Sequence, residues 1–449
     1  MAEVLRFAQD DNRAMIPQST FMILAPVDSA RENELREMLA SMNAEPGHAD
    51  PCNKYVPFGK FDDLHVARFV LLDDQTVGDI AVYGVTPPQF PLYLAFVGDI
   101  DTSAGAFLEQ LANECSAGLR SVFSCCVGFD AKDSSELLRW MKRHNVASAA
   151  NYVNWRGRTV RRAKEDAALA DAIQTYLSAN GATVCAQPAR EVHTSLRQFM
   201  RDEIDAGRLT LTPDPRTPIT WQIENFLHLV GVPLVALVAS PVLIPVGVIA
   251  ALRLRALEKT DAELCDAVDQ SYSHGLAEIE DRDVTNQFTA MGSLKPGIWR
   301  RLMAMVAFFA IDYAARHLYT RGGLARVRTI HFARWVFLDG GKRIVFMSNY
   351  DGSLESYMDD FINKVGFGLN VAFSAGVGYP RTNWFVLDGC NDERKFKEYL
   401  RRHQVPTQVW YKAQPGLTAV DLERNGRIRD GLEATSLTDA RAREWVALL

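Results

Sequence analysis

Hydrophobic and polar positions along the 449-residue chain fall into two successions of the same order. The first opens with the apolar run TFMILAPV (20–27), which reads as a strand. SARENELREMLASM (29–42) follows, with Leu35, Met38 and Leu39 on one helical face. Next come β-rich runs at His65–Leu72 and LYLAFVG (92–98), a helical stretch from Ser103 to Phe123, a shorter helix SSELLRWMKRH (134–144) and an extended piece. The second succession places a strand at FTAMGSL (288–294), an apolar helix from Trp299, and strands at HFARWVFL (331–338) and RIVFMSNY (343–350). A helix from Ser353, a strand near WFVLD (384–388) and the helix ERKFKEYLRRH (393–403) complete it. Allowing for an extra helix, each succession is β-α-β-β-α-β. That is the split arrangement which yields a four-stranded antiparallel sheet with helices on one face.

Residue identities match the two successions. LHVARFVLLDD (64–74) lies over IHFARWVFLDG (330–340) with six of eleven positions identical, among them His65/His331, Arg68/Arg334 and Asp73/Asp339. A second block, 101–128 over 351–378, keeps Asp101/Asp351, Asn113/Asn363, Gly118/Gly368 and Gly128/Gly378 without a gap. A third, 133–159 over 392–418, keeps Asp133/Asp392, Arg143/Arg402, His144/His403 and Tyr152/Tyr411. The blocks are colinear, so the chain reads as an old duplication. The expected fold is α+β: two tandem ferredoxin-like repeats, at 1–160 and 284–449, packed sheet to sheet as an intrachain pseudo-dimer. The physical reason is that one such sheet leaves an apolar face bare, and the second copy is its natural cover.

This order of elements resembles the dimeric α+β barrel superfamily, in which dye-decolourising peroxidases and chlorite dismutases carry two ferredoxin-like repeats and hold haem. The resemblance covers 20–160 and 284–420 and is one of topology. The G-x-x-D-G signature of the dye-decolourising peroxidases is absent, since VFLDG (336–340), SNYDG (348–352) and FVLDG (385–389) each lack the first glycine. What the resemblance implies is haem as a candidate cofactor and a peroxidase-like oxidoreductase activity.

Between the repeats, 161–283 is too long for a bare loop and reads as a helical linker. Within it, 225–252 contains no Asp, Glu, Lys or Arg and is long enough to cross a hydrocarbon core. A single crossing would put the two repeats on opposite sides of the bilayer, where they could not pack together. Pro233, Pro241 and Pro245 interrupt helical hydrogen bonding, so the stretch reads as a bent apolar hairpin entering and leaving on one side. The helix at 300–319 adds ten uninterrupted apolar residues, Leu302 to Ile311. Phe226, Leu234, Leu243, Phe308 and Phe309 are the expected membrane contacts. The other reading of the insert is a buried core hairpin or an oligomer interface.

Charge and composition narrow the functional classes. With 49 basic against 55 acidic residues the net charge is −6, which supplies no broad footprint for a nucleic-acid backbone. The first twenty residues lack the basic, apolar and small-residue succession of a secretory signal, which places the protein on the cytoplasmic side of the membrane, peripheral or monotopic. Seven scattered cysteines, none at C-x-x-C spacing, read as reduced thiols, with Cys125-Cys126 a candidate oxidation sensor.

No P-loop, G-x-G-x-x-G, H-E-x-x-H or G-x-S-x-G occurs, and the nine histidines show no metal-ligand spacing. The candidate catalytic residues are His331, Arg334, Tyr350 and Asp351. His331 and Arg334 sit in a run that is apolar on both faces and need partners there. Arg334 suits an anion and His331 an acid-base or ligand role; the structural alternative pairs them with a carboxylate such as Asp351. His403, at a helix end, and Arg381, in the aromatic-rich GYPRTNW (378–384), are the candidate cofactor-binding residues. The expected function is a membrane-associated protein binding a lipid-like or apolar small molecule in its C-terminal half. The alternative is a non-catalytic lipid-binding or scaffolding protein.

Overall fold

The computed structural model describes residues 18–184, 186–264 and 269–449. The chain is α+β, and two four-stranded antiparallel sheets carry it. One has the order β1 (Ser19–Pro26), β3 (Tyr93–Ile100), β2 (Leu64–Leu72), β8 (Thr407–Lys412). The other runs β4 (Ala150–Val153), β6 (Ile330–Leu338), β7 (Arg343–Asp351), β5 (Thr285–Ser293).

The last strand of each half pairs in the sheet of the other half. β4 pairs with β6, Ala150 opposite Trp335, and β8 pairs with β2, Trp410 opposite Arg68. Before crossing over, each segment touches its own sheet. Val146 N donates to Met22 O and Val405 N to Thr289 O, both at 2.8 Å. Each crossing segment therefore holds an edge of both sheets. The expected strand at 384–388 does not form part of either sheet. Trp384 and Phe385 take left-handed φ values of 55° and 67°, which an extended strand cannot accommodate, and only the short pair Thr382–Asn383 and Leu387–Asp388 forms there.

Alternation along the strands explains their almost wholly apolar character. On β2, Leu64, Ala67, Phe69 and Leu71 enter the core under the helices of the first half, whereas Val70 and Leu72 point to the other sheet. On β6, Ala333 and Trp335 face helices and Val336 and Leu338 face the first sheet. Met22, Ala95 and Val97 meet Met291, Val345 and Met347 in the same layer. Burying each such Val, Leu or Met contributes roughly 1.5–3 kcal/mol, so the layer between the sheets is a substantial part of the stability.

Helices cover the outer faces: α1 (Glu32–Ala40), α2 (Ala104–Glu114), α3 (Ser116–Phe123) and α4 (Ser134–His144) in the first half. The linker carries α5 (Val160–Val184), α6 (Ala189–Asp205), α7 (Ile219–Glu258) and α8 (Gln270–Ala277). α9 (Ile298–His317), α10 (Leu354–Phe373) and α11 (Glu393–His403) serve the second half, and α12 (Ala419–Glu433) and α13 (Asp439–Val446) close the chain. α4 and α11 begin alike. Asp133 caps Glu136 N and Asp392 caps Lys395 N, and both helices end in basic residues that favour the C-terminal dipole.

The apolar insert is one 40-residue helix, α7, with Pro233, Pro241 and Pro245 inside it, and not a hairpin. Each proline deletes one backbone donor, but the helix continues through all three, and Gly231, Ser240 and Gly247 close to them stay helical as well. Cys52, Cys115, Cys125, Cys126 and Cys390 are free thiols; Cys185 and Cys265 lie outside the described residues.

By contacts the chain divides into two units, one containing Arg156–Gly231 and Asp421–Leu449, the other Ser19–Trp155 and Val232–Val420. In the first, Leu169, Ile173, Leu196, Leu432 and Trp445 form an apolar core. Beside it the buried Arg429 donates to Glu165 at 3.0 Å, Glu433 at 2.7 Å and Thr212 O at 2.6 Å. The second unit holds both sheets and the cavity described next.

Candidate functional site

On the outer face of the second sheet, Phe288, Trp335 and Phe346 form the floor of an apolar cavity of about 240 Å³. Its walls are α9, α10, α11 and the segment after α9. The cavity has a local cause in the sequence. α9 lines it with Ala307, Ala310 and Ala314, where α1 of the first half offers Leu35 and Leu39, so small side chains leave room that large ones would fill. α10 adds a kink at Val365 (φ −139°, ψ 23°), followed by Gly366, whose missing side chain lets the Cys390 thiol approach and donate to its carbonyl at 3.2 Å. Val365, Phe361 and Met358 line the cavity, and it reaches the surface at Ala310, Ala325 and Phe367, of which Phe367 is 65% exposed.

Tyr319 and Tyr357 are among the lining residues. The Tyr357 hydroxyl shares a 2.6 Å hydrogen bond with Ser348 Oγ, and burial pushes its phenol well above the ordinary tyrosine range. The Trp335 indole is 4% exposed and its Nε1 has no hydrogen-bond partner. Among the described residues no Lys, Arg, His, Asp or Glu lines the cavity.

The end of α7 is clamped close in sequence to these walls. Glu258 is buried, with its carboxylate accepting from Thr382 Oγ1 (2.8 Å), Trp384 N (2.9 Å) and Phe385 N (2.6 Å). Three residues on, the buried Asp261 pairs with Lys295 at 2.9 Å and with Arg300 in the first turn of α9. Burial brings the Lys295 ammonium down to about 8 against the pull of Asp261. Among the described residues α7 is the one helix long and apolar enough to cross a membrane. Phe226, Leu234 and Leu243 on it are 61%, 55% and 50% exposed, and Phe309 on α9 is 54% exposed. Phe308 corrects the expectation of membrane contact: it is 1% exposed and sits over Trp335 and Phe337, because one helical step turns it from the outer face to the sheet.

The residues expected to carry chemistry lie apart from the cavity, in three places. His331 Nε2 is 2.6 Å from Asp351 Oδ1, and Asp351 also accepts from Thr285 Oγ1 (2.8 Å) and Ala419 N (2.7 Å). His65 and Asp101 repeat the pair at 2.8 Å. Arg334 lies between the sheets, donating to Phe21 O (3.1 Å) and Gly98 O (3.4 Å) and pairing with Asp99 at 2.5 Å. Arg68 makes the counterpart contacts with Phe288 O and Ser348 O, both 3.0 Å, and with Asn349. Burial works against both charges of the Arg334–Asp99 pair, lowering the guanidinium and raising the carboxyl. Tyr350 stacks on Tyr357 at 4.3 Å, with its hydroxyl toward Asp281 at 3.4 Å. The structure thus brings His331 and Asp351 together and leaves Arg334 and Tyr350 elsewhere.

Of the two candidate cofactor residues, Arg381 donates to the Asp261 carbonyl at 2.7 Å. His403 is buried with Nδ1 donating to Tyr399 O at 2.8 Å, and its ring lies against Gly292, where a Cβ would come within 3.0 Å of Nε2. Haem asks for an axial nitrogen, sulfur or phenolate and for cations at its propionates. The cavity lining offers Met358, Tyr319 and a Tyr357 already bound to Ser348, with no cation and no histidine, and so does not fit that group.

The cavity residues Phe361, Val365 and Trp335 escaped the reading of the sequence. The signal was the alanine spacing within AMVAFFAIDYAA (304–315), which marks a helix face too small to fill its layer. Comparison with family models, with curated proteins and with solved structures finds no match, so the geometry alone carries the reading.

Proposed function

We propose that this protein attaches to a membrane surface and holds a lipid-like or apolar small molecule in the cavity between the second sheet and α9–α11. The observation that carries the reading is the cavity itself: about 240 Å³ enclosed by apolar and aromatic side chains, opening at the exposed Phe367. An apolar hollow left dry is a natural host for an apolar guest. A non-catalytic binding role accounts for the site, since none of His331, Arg334, Tyr350 and Asp351 lines it.

Membrane attachment is supported by α7 and α9, whose Leu234, Leu243 and Phe309 are exposed. The attachment is monotopic. Strands before α7 pair with strands after it, β4 with β6 and β2 with β8, and a bilayer crossed once would have to separate them. The same exchange supports a duplicated ferredoxin-like pair joined into one barrel, in which Arg68 and Arg334 repeat each other's contacts from opposite sides.

Mass spectrometry of organic extracts from the purified full-length chain tests the ligand reading. The expected result is a single class of apolar compound in stoichiometric amount. A preparation that carries none, and that binds no alkyl probe on titration, overturns it.

A further inference from the structure

We infer that the cavity opens onto the face that meets the membrane, and that this face recognises anionic lipid. The outer side of α9 and Phe367 enter the hydrocarbon, and the arginines of the segment 318–328 lie at acidic headgroups. The inference rests on the reading of membrane attachment and an apolar guest, and adds which face docks and on what lipid.

Ile298, Leu302, Met305, Val306 and Phe309 of α9 are all exposed and, at 100° per residue, project within about 100° of one another. A helix that faces water carries polar side chains on such an arc, as α1 of the first half does with Asn33, Glu34 and Glu37. Ala310 follows about 40° further round from Val306. It is exposed and lines the cavity, and with Ala325 and Phe367 it forms the mouth. The apolar arc of α9 therefore reaches the rim of the opening.

Charge selects lipid over a second copy of the chain. From Tyr313 to Leu338 the sequence holds Arg316, Arg321, Arg326, Arg328 and Arg334 and no Asp or Glu, in a chain whose net charge is −6. Arg326, next to Ala325 of the mouth, and Arg328 are exposed, and so is Leu318 at the start of the same segment. Asp312, just before this run, accepts from Asn151 N at 3.1 Å, and Asp360, on α10 before Phe367, pairs with Lys364 at 2.7 Å. Positive charge beside exposed apolar side chains suits an anionic bilayer, where each such Arg strengthens attachment about fivefold. A second copy docked about a two-fold axis would bring the same arginine-rich segment to the contact, with no acidic residue of that segment to answer it. Lipid at this face also places the mouth where an apolar guest is already dissolved, so the guest enters without crossing water.

The test measures flotation and amide hydrogen exchange of the full-length protein with vesicles of phosphatidylcholine alone and of equimolar phosphatidylcholine and phosphatidylserine, and repeats both with Arg326→Gln. An unchanged urea midpoint verifies the fold of the variant. The mixed vesicles are expected to bind the wild type at least fivefold more tightly than phosphatidylcholine, and the variant about fivefold more weakly than the wild type. Exchange in the segment 318–328 should slow when the mixed vesicles bind. Equal binding to both vesicles by the wild type overturns the inference and needs no variant. Protection confined to α7, with 318–328 exchanging as in the free protein, overturns it while leaving membrane attachment intact. Binding unchanged by Arg326→Gln, or protection of 318–328 by self-association without vesicles, also overturns it. If neither vesicle binds, the membrane reading falls and takes the inference with it.

Discussion

Arg334 and Asp99 show how an identity at single positions becomes an energetic commitment. Both are buried between the sheets, so removing one leaves the other charged and unanswered. Arg334→Met is expected to lower stability to urea by about 3–5 kcal/mol. Adding Asp99→Asn, which copies Asn349 at the opposite end, should restore part of that loss, and strict additivity of the two substitutions would argue against the coupling. His403 supplies a pH signature. Burial holds its imidazole below the ordinary 6.5, so below about pH 6.5 the unfolded chain takes up a proton that the folded chain refuses. Stability is therefore full above that value and declines as pH falls toward the folded value, by up to about 1.4 kcal/mol per pH unit for one proton. His403→Gln should flatten the acid limb of a urea-midpoint profile, and an identical limb in the variant would refute the assignment. The need for partners at His331 and Arg334 was legible from polar residues in apolar runs. Asp351, the carboxylate expected for them, does pair with His331, whereas Arg334 takes Asp99 from the other half, a partner that depends on which strands meet and that no local pattern states.

Secondary-structure elements were read well where local chemistry decides them. α4 and α11 run from Ser134 and Glu393 to His144 and His403 as expected, because an Asp cap, an apolar face and a basic end all lie within one short stretch of chain. The misreadings share a different origin. WFVLD has β-prone composition, yet the Glu258 carboxylate gathers Trp384 N and Phe385 N into a left-handed turn from 126 and 127 residues away. Glu258→Ala should cost about 1–3 kcal/mol and speed amide exchange at Trp384 and Phe385; protection equal to wild type would mean the loop holds its own shape. In α7, Pro233, Pro241 and Pro245 project within about 120° of one another at 100° per residue, so their missing bonds fall on one side of a continuous helix. Prolines mark weak points in a helix without reversing it, and Gly231, Ser240 and Gly247 beside them stay helical here.

For the molecule as a whole, the exchange of β4 and β8 is the governing feature. It makes the layer between the sheets and the membrane argument a single matter, since strands on either side of α7 are hydrogen-bonded. The membrane attachment proposed for the exposed residues is separable from folding. Leu243→Glu combined with Phe309→Glu should reduce flotation of the full-length protein with anionic vesicles severalfold while leaving its urea midpoint within about 0.5 kcal/mol. Flotation unchanged by the pair, or a wild type that ignores vesicles and forms a defined soluble oligomer through α7, would turn the reading toward self-association.

Periodicity and composition were enough to establish an α+β fold and one long apolar segment, because these properties are written in spacings of a few residues; the closing strand expected at 384–388 forms instead at Thr407–Lys412. Which sheet the last strand of each half joins, where Glu258 docks, and the hollow beside the alanines of α9 arise only when distant segments compete for the same space. Strand pairing and cavity volume are properties of how elements meet, and that meeting is set by the sum of burial across the fold rather than by any one stretch of chain.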